Sequence, residues 1–201
     1  MNLFHSPGQP VRAQGDGLCR HPRHRGQIEL VTVTAQASPP ELLAANPLSK
    51  IPVLVTEDGV ALFDSPVICE YLDTVGDAPA LFPPSGRARW RALKFQAMAD
   101  GIMDAAVLRR GESLRPREPA RDATMARQHA AVVRTLRELD SDLPHPTADI
   151  GSLAVACALG YLDFRFAHEP WRASNPALAA WDAAMAEQPG LAATLPREPT
   201  A

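Results

Sequence analysis

The hydrophobic pattern changes at residues 77–86 (DAPALFPPSG), and this change constrains the fold more than any other feature of the chain. Before this proline-rich segment, short β-branched runs alternate with short helical patterns, as in a small α/β domain. After it, apolar residues recur every three or four positions, which is the spacing of helices that bury one face. The sequence therefore predicts an α/β domain over residues 1–76, a linker over 77–86 and an all-helical domain over 87–201.

The first domain is predicted to contain strands, a hairpin and two helices. In chain order these are a strand at 2–5, a strand at 28–33, a short helix at 40–46, a hairpin that joins 53–55 to 61–63, and a helix with Ser65 as its N-cap and Pro66 as its first helical residue. Ser65 is a favourable N-cap, Pro66 fits the first helical position, and Gly76 is a typical helix stop. These signals place Ser65 at the N-terminus of a helix that directly follows a hairpin.

The second domain is predicted to contain four helices. The apolar stripe of the first comprises Trp90, Leu93, Ala97, Gly101, Ala105 and Leu108, and that of the second comprises Met125, His129, Val132, Leu136 and Leu139. The third helix covers about residues 149–166, where small residues such as Gly151 permit a close helix contact, and the fourth covers 175–188. Either Thr147 or Asp149 caps the third helix.

Charge and composition exclude several functional classes. The formal net charge is −3, so no basic surplus indicates a nucleic-acid or acidic-membrane partner. No apolar run reaches the ~18 residues that a membrane span needs, and the start of the chain lacks the apolar core of a signal peptide. The three cysteines are too few and too scattered for a disulfide framework or a metal site. We therefore expect a soluble, reduced, cytoplasmic protein without a metal.

Some side chains that could be reactive have structural explanations. Cys69 and Cys157 lie in helical apolar patterns and are expected to be buried small hydrophobes rather than nucleophiles. His129 lies on an apolar stripe and is expected to be a packed, neutral histidine. The tryptophans are expected to be packing anchors: Trp90, Trp171 and Trp181.

The segments with the most informative chemistry are residues 46–54 (NPLSKIPVL) and, after the hairpin, residues 64–72 (DSPVICEYL). Together they resemble the N-terminal domain of the glutathione S-transferases. Residues 99–104 (ADGIMD) and 156–165 (ACALGYLDFR) are similar to a bacterial branch of this cytosolic family. The resemblance covers two stretches, roughly residues 1–8 and 27–195. It implies a thioredoxin-like α/β domain that binds glutathione, followed by an all-α helical bundle domain.

The physical chemistry of these residues suits a zwitterionic tripeptide. A cis Ile51-Pro52 bond would turn the Ile51 amide and carbonyl outward, where they could pair with a peptide-like ligand as a strand edge does. Ser65 offers a hydroxyl and helix N-terminal N–H groups to a carboxylate, such as that of the γ-glutamyl group. Lys50 could meet the carboxylate at the glycine end, and Asp64 could face the ammonium group. The predicted glutathione-binding residues are Lys50, Ile51, Pro52, Asp64 and Ser65.

The resemblance also implies a reaction, the conjugation of the glutathione thiolate to small electrophiles, as in detoxification. Glutathione is then a co-substrate, no cofactor is tightly bound, and the assembly is a homodimer. Met98 and Met103 flank a helix that lines the electrophile pocket in this family, although core filling explains them equally well. Two alternatives stay open: a non-catalytic transferase-like interaction module, and a glutathione-dependent thiol-disulfide reductase that uses Cys19.

Residues 9–26 (QPVRAQGDGLCRHPRHRG) do not fit this fold. A crossover helix should connect the strands at 2–5 and 28–33, but this segment is interrupted by glycine and proline and has no apolar face. One back-translation of residues 9–25, read one base later, gives SPFVRKVMVCAATRGIA, which begins with the Ser-Pro-aromatic-Val-Arg motif of the family. We hypothesise two compensating frameshifts, near residues 8–9 and 26. The alternative is a divergent, basic loop.

The anomalous segment affects the predicted chemistry. Gln9 stands where the family has a serine that often hydrogen-bonds the glutathione sulfur. Ser6 is the nearest remaining hydroxyl and is the candidate substitute for the catalytic role. The loss of that serine favours the non-catalytic alternative. Glutathione conjugation by the chain with Gln9 is therefore an expectation.

Overall fold

The computed structural model describes four stretches of the chain: residues 1–6, 28–75, 80–145 and 147–187. These residues form two compact units, one that ends at Phe82 and one that begins at Pro83. The first unit is α/β and the second is helical, which confirms the predicted fold class. The predictions made for residues 9–26, Cys19 and Gly76 lie outside the described residues.

The first unit is built on a four-stranded sheet. Its elements are β1 (Asn2–His5), β2 (Glu29–Thr32), a 3-10 turn (Ala35–Ala37), α1 (Pro40–Ala45), β3 (Val53–Val55), β4 (Ala61–Leu62) and α2 (Ser65–Thr74). The strand order is β2-β1-β3-β4, where β1 is parallel to β2 and antiparallel to β3, and β3 is antiparallel to β4. The predicted strands and hairpin are therefore confirmed, with small differences at the element ends.

Apolar residues of the strands and of α1 form the core of this unit. Leu3 and Leu54, which are partners in the β1–β3 register, are both buried. Leu42 of α1 is buried in one cluster with Val33 and Val53. A helix as short as α1 is marginal in isolation, so this burial is what stabilises it against the sheet.

Helix α2 begins one residue earlier than the sequence predicts. Its N-cap is Asp64, whose carbonyl accepts the N–H of Ile68 at 3.0 Å. Asp64 has an extended backbone and makes no side-chain capping bond, whereas Ser65 is already helical. The prediction that Ser65 is the N-cap is therefore wrong by one position, because the first helical hydrogen bond closes on the carbonyl of Asp64.

The second unit contains four helices among its described residues. They are α3 (Gly86–Ser113), α4 (Pro119–Ser141), α5 (Ile150–Arg165) and α6 (Pro176–Ala186), with a 3-10 turn (Arg172–Ser174) before α6. Helix α3 packs against both α4 and α5, and most residues of α5 are buried. The helix prediction for this half of the chain is confirmed.

The predicted apolar stripe of α3 is wrong for most of its members, although Ala105 is buried as predicted. Trp90 and Leu108, which belong to that stripe, are 68% and 41% exposed. The buried face consists instead of Ala92, Phe95, Gln96, Ala99, Ile102, Met103, Ala105, Ala106 and Arg109. Four of these nine residues are alanines, and two are the polar residues Gln96 and Arg109, so hydrophobic size does not reveal this face. Trp90 is consequently not a packing anchor, whereas Trp171 and Trp181 are buried as expected.

Helix α5 begins with a capping box. The Oδ1 atom of Asp149 accepts the N–H of Ser152 at 2.8 Å, and the Oγ atom of Ser152 accepts the N–H of Asp149 at 2.8 Å. Asp149 is therefore the cap, and the Oγ1 atom of Thr147 lies instead 2.6 Å from Nδ1 of His145. The sequence did not reveal Ser152, because the reciprocal position usually holds Glu or Gln.

The remaining side-chain expectations have mixed outcomes. Cys69 and Cys157 are buried, as expected. His129 is not a packed core residue, because its side chain is 47% exposed and its Nδ1 atom lies 3.2 Å from Oε2 of Glu169. The buried stripe of α4 is narrower than predicted and comprises Val132, Leu136 and Leu139.

Residues 1–6, 28–75, 80–145 and 147–187 contain neither a candidate membrane span nor a candidate metal site. None of the helices in these stretches has the length and apolar character required to cross a bilayer. Within the same stretches, His, Cys, Asp and Glu side chains form no group of three or more that could hold a metal ion.

Candidate functional site

The β3–β4 hairpin brings the two predicted binding segments to the same edge of the sheet. Leu54 pairs with Leu62 in the antiparallel register. The antiparallel pairing places the start of β3 beside the end of β4, so Ile51, which precedes β3, and Ser65, which follows β4, lie at the same end of the sheet. The segment that leads into β3 and the segment that leads from β4 to α2 therefore lie at the same end of the hairpin, although the two strands separate them in sequence.

The β1–β3 register adds Ser6 to the same edge. Phe4 pairs with Val53, so Ser6, which follows β1, lies at the same end of the sheet as Ile51, which precedes β3. Strand β1 ends at His5, and the side chain of Ser6 is half-buried. Because β1 lies next to β3 and β3 next to β4, the end of β1, the start of β3 and the N-terminus of α2 meet at this edge.

Asn46 shapes the loop that contains Lys50 and Ile51. Its side chain is buried; Nδ2 donates to the Lys50 carbonyl at 2.9 Å, and Oδ1 accepts the N–H of Leu48 at 3.0 Å. Both ends of the amide therefore fix the backbone that leads into β3. Asn46 belongs to the sequence motif, but the sequence analysis assigned it no role. An Asn side chain that hydrogen-bonds the backbone two residues later is nevertheless a recognisable turn signal.

The Ile51-Pro52 bond is cis, as the sequence analysis predicts. Pro52 is buried, while Ile51 is half-buried. A second cis bond, Phe63-Asp64, precedes α2. No proline follows Phe63, so no residue pattern predicts this second cis bond.

The N-terminus of α2 offers hydrogen-bond donors at this edge. Ser65 is 6% exposed and is the first residue of a ten-residue helix. The first-turn N–H groups of Ser65 and Val67 have no acceptor within the helix, and Pro66 has no N–H. With the positive end of the helix dipole, these groups favour an anionic ligand.

Two exposed side chains of opposite charge flank the edge. Lys50 directly precedes Ile51, and Asp64 directly precedes Ser65. Both side chains are exposed, so each can reach a ligand without a large desolvation penalty. The arrangement therefore suits a ligand with a peptide backbone, an ammonium group and carboxylates.

The predicted electrophile-pocket residues belong to the helical unit. Met103 is 3% exposed in the buried face of α3, and Met98 on the same helix is half-buried. Burial of Met103 agrees with the core-filling alternative for that residue. The assignment of Met98 and Met103 to an electrophile pocket stays a prediction.

The chain is similar to known proteins over most of its length. The family model described as glutathione S-transferase, N-terminal domain, matches residues 23–75, and the one described as glutathione S-transferase, C-terminal domain, matches residues 122–181. The uncharacterized GST-like protein YibF of Escherichia coli (strain K12) is 40% identical over 138 residues, which are 66% of this chain and 68% of YibF.

Solved structures agree with these matches. A glutathione transferase family member from Pseudomonas fluorescens Pf-5, crystallised with bound glutathione, is 38% identical over 98% of both chains, with a TM-score of 0.89. A glutathione S-transferase from Methylobacillus flagellatus KT, with glutathione bound, is 32% identical over 98% of this chain and 99% of that one, with a TM-score of 0.84. Both similarities extend over the two structural units.

Proposed function

The chain belongs to the glutathione S-transferase family, and on that premise we propose that it binds glutathione and transfers the thiolate to small electrophiles. The observation that carries the proposal is the convergence of Ser6, Ile51-Pro52 and Asp64-Ser65 at one edge of the sheet. Two similar proteins hold glutathione in their crystals, which supports glutathione as the co-substrate here.

Each part of glutathione has a proposed partner at this edge. The backbone of Ile51 pairs with the backbone of the cysteinyl residue, as an added strand would. The hydroxyl of Ser65 and the N-terminus of α2 bind the γ-glutamyl carboxylate. Asp64 faces the γ-glutamyl ammonium group, and Lys50 faces the carboxylate of the glycine. Buried Pro52 fixes the entry of the chain into β3.

The proposed reaction depends on the glutathione thiolate. A free thiol has a pKa near 8.5, so a donor that stabilises the thiolate increases the reactive fraction at neutral pH. The Ser6 hydroxyl donates this hydrogen bond in our proposal. The thiol proton passes to solvent, and the thiolate then forms a carbon–sulfur bond with the electrophile. A haloarene loses its halide in this step, whereas an activated alkene has no leaving group and its resulting carbanion takes up a proton from water. Met98 and Met103 line the electrophile pocket.

The test is a rate assay of the full chain with glutathione and a panel of electrophiles that includes haloarenes and activated alkenes. We expect turnover above the uncatalysed rate. We expect Ser6→Ala to lower kcat about tenfold or more, as loss of a hydrogen bond to a charged group does. Ser113→Ala, which changes an exposed serine at the end of α3, is the matched control and should leave the rate unchanged.

One specific observation favours a second candidate, a non-catalytic transferase-like module. Gln9 occupies the position where the family has its sulfur-binding serine. A protein of this kind would bind glutathione in a calorimeter and show no conjugation with any electrophile of the panel. The third candidate, a reductase that uses Cys19, predicts disulfide reduction that Cys19→Ser abolishes.

Family membership also supports a homodimer in the cytoplasm. Light scattering on the purified protein should give the mass of two chains. A mass of one chain that does not change with concentration would contradict the dimer.

A further inference from the structure

The helical unit contains a cavity of about 290 Å³, and we propose that it binds small hydroxylated aromatic carboxylic acids. Its walls come from one face of α4, the end of α5 and the segment between Phe166 and Asn175. All of these residues lie in the helical unit. The proposal is therefore independent of the glutathione site and of its proposed function.

The walls of the cavity are mainly apolar. Val132 and Leu136 of α4, Leu162 of α5, and Phe166 and Trp171 of the following segment line it. Apolar walls with a few polar groups are typical of small-molecule sites. A dry cavity of about 150 Å³ is sufficient for benzene, so the present cavity has room for one substituted aromatic ring.

One buried polar atom at the cavity has no hydrogen-bond partner among the described residues. Asn175 is 4% exposed and lines the cavity. Its Nδ2 atom donates to the Trp171 carbonyl at 2.7 Å, which fixes the orientation of the amide. Its Oδ1 atom is buried and accepts no hydrogen bond from the described part of the chain. Because buried acceptors are rarely left unpaired, this atom calls for a ligand with a hydroxyl donor.

The charge at the cavity favours an anionic group on the same ligand. Arg137 lines the cavity, is exposed, and makes no ion pair with any described residue. Glu169 also lines the cavity, but it pairs with the buried Arg109 and lies 3.2 Å from His129. The charge of Glu169 is thus offset within the protein, and the charge of Arg137 is left for a ligand carboxylate.

The direct test is calorimetric titration of the full chain with 4-hydroxybenzoate. We expect one molecule to bind per chain. Benzoate, which lacks the hydroxyl, and phenol, which lacks the carboxylate, should each bind more weakly. If benzoate and phenol bind as tightly as 4-hydroxybenzoate, or if none binds at millimolar concentration, the proposal is overturned.

Two variants of α4 test whether 4-hydroxybenzoate binds in this cavity. Arg137→Gln should weaken 4-hydroxybenzoate binding about fivefold, as loss of a partly exposed charge pair does. Arg134→Gln removes an exposed charge from the same helix outside the cavity lining and should leave binding unchanged. Equal weakening by the two variants would show non-specific charge attraction and overturn the assignment.

Two further measurements separate this cavity from the glutathione site. Val133→Trp should fill the cavity and abolish binding, and a melting curve establishes that the variant folds. If Val133→Trp does not fold, the Arg137→Gln variant and the comparison with benzoate and phenol decide whether the ligand binds in this cavity. Saturating glutathione should leave 4-hydroxybenzoate binding unchanged. Displacement by glutathione would place the ligand in the glutathione or electrophile site and contradict the proposal.

Discussion

At the N-terminus of α2, Ser65 combines a buried hydroxyl with first-turn N–H groups that have no helical acceptor. We predict that Ser65→Ala weakens glutathione binding by about 1.5–3 kcal/mol, because one hydrogen bond to a charged carboxylate is lost. Calorimetry measures this change. Since Asp64 and not Ser65 is the N-cap, the variant should keep its melting temperature. Unchanged affinity in a folded variant would remove Ser65 from the site.

A second prediction at the residue scale concerns Glu169. Burial acts to raise its pKa, but the hydrogen bond from Arg109 and the charges of Arg109, His129 and His168 outweigh burial, so the pKa lies below its usual value near 4.5. The folded state thus favours the carboxylate. The stabilisation is present above pH 4.5 and is lost as the pH falls through the lower folded-state pKa.

Urea denaturation of the wild type and of Glu169→Gln at a series of pH values tests this linkage. At pH 7 we expect Glu169→Gln to cost about 1–2 kcal/mol, because the buried Arg109 loses its charged partner. The difference should shrink below pH 4.5. Glu138→Gln, which removes an exposed pair with Lys94, should cost at most about 0.5 kcal/mol. A difference that does not depend on pH would contradict the argument.

At the scale of elements, the contact between α3 and α5 depends on Gly151. A Cβ atom at this position would lie 2.5 Å from the carbonyl oxygen of Ala92 and 2.9 Å from Cβ of Phe95. We predict that Gly151→Ala destabilises the protein by roughly 1–3 kcal/mol, because backbone must move to relieve the overlap. Gly101→Ala is the matched control, since nothing lies within 4 Å of its added Cβ.

The two glycine variants should shift stability in opposite directions. Gly101→Ala removes a glycine from the interior of α3 and should stabilise the protein by about 0.5–1 kcal/mol. Denaturant midpoints measure both effects. If Gly151→Ala is as stable as Gly101→Ala, the helices are less tightly packed at this position than the structure indicates.

The periodicity of the chain predicts where its elements lie better than which faces they bury. The positions of α3 and α4 follow from the spacing of apolar residues, but four of the nine buried residues of α3 are alanines, and this helix packs against α5. A large exposed residue such as Trp90 then dominates the pattern and shifts the predicted stripe. Packing between helices, which decides the face, is not encoded in the local spacing.

At the scale of the whole molecule, the two sites differ in how far the sequence reveals them. Residues 46–54 and 64–72 flank one hairpin, so a motif and a predicted turn are sufficient to predict that Ile51 and Ser65 lie at one end of the sheet. The cavity in the helical unit is assembled from α4, α5 and the segment before α6. Its key atom is Oδ1 of Asn175, which is buried and accepts no hydrogen bond from the part of the chain that the structure describes. No local sequence pattern can predict that.

The last prediction concerns the whole protein and tests the frameshift hypothesis for residues 9–26. This segment contains Gly15, Gly17, Pro22 and Gly26 and has no apolar stripe. In a helix interior each glycine costs about 1 kcal/mol and each proline about 3 kcal/mol relative to alanine, and the sequence of this segment offers no apolar stripe whose burial would offset that cost. Replacement of residues 9–25 by SPFVRKVMVCAATRGIA supplies an apolar, helix-compatible segment and a serine at position 9.

We expect the replaced form to melt at a higher temperature than the original, because a crossover helix can then cover the sheet beside β1 and β2. We also expect faster conjugation of glutathione, since the serine restores a donor to the thiolate. Melting curves, hydrogen exchange over residues 9–26 and conjugation rates of both forms measure these effects. Equal stability and equal rates would show that the basic segment serves the fold as well as the family motif does. The nucleotide sequence of the gene over residues 9–26 tests the hypothesis independently. Stop codons in the shifted frame would exclude the frameshift.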